Sequence, residues 1–168
     1  MSNSLSDLPT ATGFTETGLI DIERISGPLR PILLVEDNPN DLELTLTALA
    51  RCQLSNEIIV ARDGVEALDY LHRRNQWADR EPGLPAVVLL DLKLPRINGM
   101  EVLEQVKNDL MLQHVPIVML TSSSLESDLA TSYQKGVNAF VVKPINLNEF
   151  FRAIQDLGMF WGAVNKLP

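Results

Sequence analysis

The chain is 168 residues long, 45% hydrophobic and 21% charged, which suits one domain with a buried core and excludes wholesale disorder. Its 14 Lys and Arg against 22 Asp and Glu leave a net charge of −8 with no basic cluster, which argues against nucleic acid or an anionic membrane surface as the main partner. The single cysteine, Cys52, excludes an internal disulfide and leaves too few thiols for a structural zinc site. No Lys or Arg precedes Arg24, and no apolar run reaches the roughly 20 residues that cross a bilayer, so a cytoplasmic protein without a signal peptide is expected.

Residues 1–28 begin rich in Ser, Thr and Gly without sustained periodicity, and read as a mobile N-terminal arm. Within it Leu19, Ile20, Ile22 and Ile25 form a short apolar patch, broken by Gly27-Pro28. From Pro31, PILLVED is a continuous apolar run of the kind buried on both faces of a sheet. Asn38-Pro39 supplies an N-cap and a first-turn proline for a helix striped by Leu42, Leu46 and Leu49. The unit repeats. EIIVA is a strand, and Asp63 with Glu66 three residues on caps a helix carrying Val65, Leu68 and Leu71. AVVLLD is the third strand, followed by a helix from Gly99 with Met100, Leu103 and Val106; PIVMLT is the fourth. Ser123 with Glu126 caps a helix through Leu129 and Tyr133 that ends at Gly136, and AFVV is the fifth strand. Asn146 with Glu149 starts a last helix through Phe150, Ile154, Leu157 and Trp161. Strands alternating with helices predict one α/β domain over 29–161, a doubly wound parallel sheet, with 162–168 as a short tail.

Ligands of open parallel sheets sit outside the carboxyl ends of the strands. This sequence places Glu36-Asp37 at the end of the first strand, Asp91 at the third, Thr121-Ser122-Ser123 at the fourth and Lys143-Pro144 at the fifth. Three carboxylates brought together repel one another, and a hard divalent cation such as Mg²⁺ resolves the repulsion. One Asp oxygen then remains free to attack an electrophile such as phosphorus, with Lys143 and the Thr121 hydroxyl holding the phosphoryl oxygens.

LLVEDN at the first strand, LLDLKLPRINGMEVL around the third, VMLTSSS at the fourth and GVNAFVVKP at the fifth resemble the motifs of response-regulator receiver domains of two-component signalling, over about residues 31–160. The resemblance implies the chemotaxis-regulator-like, flavodoxin-like receiver fold, a five-stranded parallel sheet in the order 2-1-3-4-5. It implies that Asp91 accepts a phosphoryl group from a sensor histidine kinase or phosphotransfer protein. It further implies that Glu36, Asp37, Asp91 and the backbone carbonyl of Lys93 surround Mg²⁺, that Thr121 and Lys143 contact the phosphoryl group, and that Thr121 and Phe140 form the switch. Lacking a hydroxyl, Phe140 forgoes the hydrogen bond that tyrosine makes there. Any catalysis is then self-directed, confined to the domain's own phosphorylation and dephosphorylation.

The segment NLNEFFRAIQDLGMFWGAVNKLP resembles the carboxyl end of single-domain regulators paired with bacterial and cyanobacterial phytochromes, which commonly dimerise through the fourth helix, fifth strand and fifth helix. Phe150, Phe151, Phe160 and Trp161 exceed what one buried helix face requires, so a homodimer interface is expected there. Competing readings fit less well. Phosphohydrolases using an aspartyl-phosphate place the nucleophile at the end of the first strand in an Asp-x-Asp pattern, whereas here Asp91 follows the third. A flavodoxin-like electron carrier needs a Ser/Thr/Gly phosphate loop after the first strand, and none is there. The intact acid set argues against a receiver kept only as an interaction module.

Overall fold

The computed structural model describes residues 29–51, 54–122 and 126–143, and five helical positions beyond them, Asn148, Glu149, Arg152, Ala153 and Asp156. The N-terminal arm with Ile22 and Ile25, Cys52, Ser123, Phe150, Phe151, Phe160, Trp161 and the 162–168 tail lie outside the described residues.

The elements run β1 (Ile32–Val35), α1 (Pro39–Arg51), β2 (Ile58–Ala61), α2 (Gly64–His72), β3 (Val87–Asp91), α3 (Gly99–Asn108), β4 (Ile117–Thr121), α4 (Glu126–Gln134) and β5 (Ala139–Val142). The five strands form one parallel sheet in the order β2-β1-β3-β4-β5, as the motif resemblance implied. The apolar runs of β1, β3 and β4 became strands buried throughout because both of their faces are covered, whereas the edge strands β2 and β5 are mostly half-buried. Leu33, Val35, Val88, Leu90, Ile117 and Met119 face α2 and α3, meeting Leu68, Leu71, Val102, Leu103 and Val106. The alternate residues Ile32, Leu34, Val87, Leu89, Val118 and Leu120 meet Leu42, Ala48 and Leu49 of α1. This is the two-residue period of a strand with no solvent-facing side.

The helix starts follow their local chemistry. Asn38 Oδ1 accepts from the Asn40 and Asp41 N–H groups at 2.9 and 3.2 Å, fixing the first turn of α1. Asp63 caps α2 by accepting from Glu66 N–H at 2.9 Å. Asn98 and Glu101 form a reciprocal capping box at the start of α3, each bond 3.0 Å long. The buried stripe of α1 is Leu42, Thr45, Ala48 and Leu49, with Leu46 only half-buried, so the helix is turned slightly from the all-leucine stripe expected. Thr45 enters the core without penalty because its hydroxyl donates to the Asp41 carbonyl at 2.8 Å.

The loop between β3 and α3 is held at three points. Arg96, in left-handed backbone conformation with φ of 63°, pairs with Asp63 at the cap of α2. Burial pushes the Asp63 carboxyl up, but the Arg96 and Glu66 hydrogen bonds outweigh it and hold the group below its ordinary value. Gly64 and Gly99, each the first residue of its helix, admit close backbone approach: a Cβ on Gly64 would lie 2.2 Å from the Ile97 carbonyl oxygen, and one on Gly99 would lie 2.2 Å from that of Asp91. Among the described residues no helix is long and apolar enough to cross a membrane.

Candidate functional site

Parallel register decides which side chains meet. Val35 of β1 is level with Leu90 of β3, so the next residues, Glu36 and Asp91, emerge side by side at the carboxyl edge. Thr121 of β4 is level with Val142 of β5, and Lys143 follows at once, its N–H donating to the Thr121 carbonyl at 2.6 Å.

The Lys143 ammonium is the hub. Its Nζ donates to Glu36 Oε2 at 2.6 Å, Asp41 Oδ2 at 2.8 Å and Asp91 Oδ2 at 2.9 Å. Lys143 and Asp91 side chains are each only 10% exposed and Glu36 is 1%, whereas Asp41 is 39% exposed. The second oxygens of the two buried acids are also engaged: Glu36 Oε1 accepts from Asn38 N–H and Asp91 Oδ1 from Lys93 N–H, both at 3.2 Å. One cation therefore bridges three acidic groups, two of them nearly dry.

Burial pushes the Glu36 carboxyl up to about 7, with neighbouring Asp91 adding to the rise and Lys143 opposing it. Burial also opposes the charge on Lys143. The hydrogen bonds it donates to Asp41, Glu36 and Asp91 outweigh that penalty and hold its pKa above the ordinary lysine value. Lys143 is thus firmly protonated at neutral pH, and the excess negative charge resides in the carboxylates. Oxygens of Glu36, Asp41 and Asp91 lie within 4.8 Å of one another, an all-oxygen donor set of the kind that suits a hard divalent cation.

Sequence reasoning placed Glu36, Asp91, Lys143 and Thr121 at this edge, and there they are. Thr121 is fully buried at the end of β4. Phe140, level with Met119, is half-buried and packs on the core beneath the site. Lys93 is exposed with its N–H on Asp91. Asp37 is exposed and stands outside the carboxylate cluster, since successive residues leaving a strand point to opposite sides. The third carboxylate of the cluster around Lys143 is Asp41. Sequence reasoning passed over it; the available signal was an acidic residue in the first turn of a helix that starts at the ligand-binding edge of the sheet.

The comparisons with known proteins agree with this geometry. The response regulator receiver domain family matches residues 32–155. Response regulator Rcp1 of Synechocystis sp. is 36% identical over 143 residues, covering 85% of this chain and 96% of that protein. The crystal structure of its Mn²⁺-bound form superposes with a TM-score of 0.76 at 35% identity, over 83% of this chain and 99% of that one. The phosphorylated cyanobacterial phytochrome response regulator RcpA gives a TM-score of 0.76 at 37% identity, with coverage of 83% and 99%. The bacteriophytochrome response regulator AtBRR is 64% identical, with a TM-score of 0.69 over 83% of this chain and all of that one. With its parallel sheet, its lysine-bridged acids and these relatives, the chain belongs to the response regulator receiver domain family of two-component signalling.

Proposed function

We propose that this protein is a single-domain phosphorylation switch, its receiver domain spanning 29–161, that takes a phosphoryl group on Asp91 from a sensor histidine kinase and signals through protein contacts. The observation that carries this reading is the Lys143 ammonium seated 2.9 Å from Asp91 Oδ2, within the ring of acids at the carboxyl edge. An Asp91 oxygen attacks the phosphorus of a kinase phosphohistidine. The O–P bond forms, the P–N bond breaks, and its electron pair leaves on the imidazole. Lys143 then follows the negative charge from the carboxylate to the phosphoryl oxygens, and the Thr121 hydroxyl donates to another of them. Phe140, on the strand leading to Lys143, carries the change to the α4–β5 surface as the second switch residue.

Glu36 and Asp91, joined by Asp37 and the Lys93 carbonyl in the family pattern, would hold Mg²⁺, which when bound offsets the repulsion between the carboxylates and the incoming phosphoryl oxygens. All chemistry is self-directed, so the protein is not an enzyme acting on external substrates. Similarity to the cyanobacterial phytochrome response regulator RcpA and the bacteriophytochrome response regulator AtBRR supports a phytochrome as the kinase partner. The net charge of −8 supports protein partners rather than nucleic acid or membrane, and a cytoplasmic setting is proposed with them.

Intact mass after incubation with acetyl phosphate tests the assignment, with a phosphorylated phytochrome kinase as the second donor. Wild type in Mg²⁺ is expected to gain one phosphoryl group, while Asp91→Asn and excess chelator each abolish the gain. Normal labelling of Asp91→Asn would sink the assignment.

The proposed signalling form is a homodimer built on the C-terminal aromatic residues Phe150, Phe151, Phe160 and Trp161. Support among the described residues comes from Leu129 and Tyr133 of α4 and Val142 of β5, large apolar side chains 38%, 54% and 42% exposed. Burying such surface is worth about 25 cal/mol per Å². A two-fold axis would bury it on both copies at once. Sedimentation at micromolar concentration is expected to give a dimer for wild type and a monomer for the Phe160→Glu, Trp161→Glu double variant. A wild type that stays monomeric with and without phosphodonor removes the dimer.

A further inference from the structure

We propose that Asp41 is a positioning residue that holds Lys143 in the resting state and competes with the phosphoryl group for its ammonium, so that Asp41 sets how far the switch turns on. The inference rests on Asp91 being the phosphoacceptor and extends that reading to a residue it does not use.

Asp41 is fixed in place by its own backbone. Its N–H donates to Asn38 Oδ1 at 3.2 Å and its carbonyl accepts from the Thr45 hydroxyl at 2.8 Å, so the carboxylate is presented from the first turn of α1 rather than from a mobile loop. From there Oδ2 receives the Lys143 ammonium at 2.8 Å, slightly closer than Asp91 does at 2.9 Å. The three acids differ in what they lose when the ammonium moves. Glu36 is 1% exposed and would be left dry. Asp91 becomes an acyl phosphate and presents phosphoryl oxygens in place of its carboxylate. Asp41, 39% exposed, is rehydrated at once. The bond to Asp41 is therefore the one that lengthens as Lys143 turns to the phosphoryl group. A charge-assisted bond that must be exchanged in this way subtracts from the stability of the phosphorylated state.

Neutralising Asp41 removes that competitor while keeping the side chain's shape. Asp41→Asn is expected to raise the steady-state ratio of phosphorylated to free protein, in acetyl phosphate and saturating Mg²⁺, by roughly tenfold. Asp41→Glu is expected to return it toward wild type. The gain must vanish when Lys143→Ala is the background, because Asp41 acts through that ammonium. A gain that persists in Lys143→Ala, or no gain in Lys143-containing protein, overturns the proposal. A second measurement needs no phosphoryl transfer. The ¹⁵N signal of the Lys143 ammonium, protected from solvent exchange by its three acceptors, is expected to broaden in Asp41→Asn, and an unchanged signal overturns the proposal independently. If wild type accepts no phosphoryl group, the assignment of Asp91 fails, and the ammonium signal still decides whether Asp41 holds Lys143.

Discussion

A Gly99→Ala variant is expected to lose about 3 kcal/mol of folding stability, and with it most of its capacity to accept a phosphoryl group. The added methyl would stand 2.2 Å from the Asp91 carbonyl oxygen and 2.9 Å from Leu92 Cα. Both are main-chain atoms, so no side chain can rotate to make room. Either α3 moves off the sheet, opening the packing of Val102, Leu103 and Val106, or the end of β3 is displaced and Asp91 leaves Lys143. Gly136→Ala separates this steric effect from conformational cost: Gly136 has φ of +86°, but a Cβ there meets only the Lys107 side chain, Cγ at 3.6 Å and Cδ at 3.8 Å, both ordinary contact distances. That variant is expected to cost about 1 kcal/mol and to leave phosphorylation intact. Urea denaturation gives both numbers, and a Gly99→Ala midpoint equal to that of wild type would show that the backbone around Asp91 gives way freely.

Lys143→Ala is expected to weaken the fold by about 3 kcal/mol at neutral pH in metal-free buffer, since it strands the buried carboxylates of Glu36 and Asp91 without their shared cation. The deficit should depend on pH in a definite direction. Glu36 already titrates near 7 in the folded protein, above the ordinary carboxylate value of 4.5, so its contribution is fully present below 4.5 and is lost as pH rises through 7. Removing Lys143 takes away the main influence that lowers this pKa, leaving only the Asn38 N–H, so the folded protein holds the Glu36 proton more tightly still. The variant's deficit is therefore smaller at pH 5, where Glu36 can stay neutral, than at pH 8. Added Mg²⁺ should restore much of the loss, and the variant should bind the metal more tightly than wild type because the competing ammonium is gone. Denaturation midpoints at the two pH values, with and without Mg²⁺, measure this. A deficit that is flat with pH and indifferent to Mg²⁺ would mean that Lys143 supports the fold through its methylene packing instead.

What the sequence disclosed divides along lines of range. Strands that are covered on both faces must be continuously apolar, so ILLV, VVLLD and IVMLT announced themselves, and the parallel order followed from the motif resemblance. Caps are contacts between residues two or three apart, which is why Asn38 and Asp63 were readable. Glu36, Asp91, Thr121 and Lys143 were readable because each directly ends or follows a strand. Asp41 was not, since its role depends on the phase of a helix and on the reach of a lysine 102 residues away. The Arg96–Asp63 pair was hidden for the same reason, as it joins the turns after two strands that are not neighbours in the sheet. Thr45 in the buried stripe of α1 also escaped notice, because a hydroxyl counts as polar until its bond to the preceding turn is known.

The three anchors on the β3–α3 loop make the molecule mechanically lopsided. On the α2 side, Arg96 is tied to Asp63, the Ile97 carbonyl fills the space above Gly64, and Gly99 is wedged against Asp91 itself. On the other side, β5 is half-buried to exposed along its whole length and α4 shows Leu129 and Tyr133 to solvent. A push that originates at Asp91 meets a stiff abutment in one direction and a compliant one in the other, so displacement accumulates where resistance is least. If Asp91 takes a phosphoryl group as proposed, the displacement is expected to run toward α4 and β5 and to leave the α2 flank in one shape. A partner that must recognise the protein before and after the reaction is best served by the rigid flank, and one that must tell the two states apart by the yielding one.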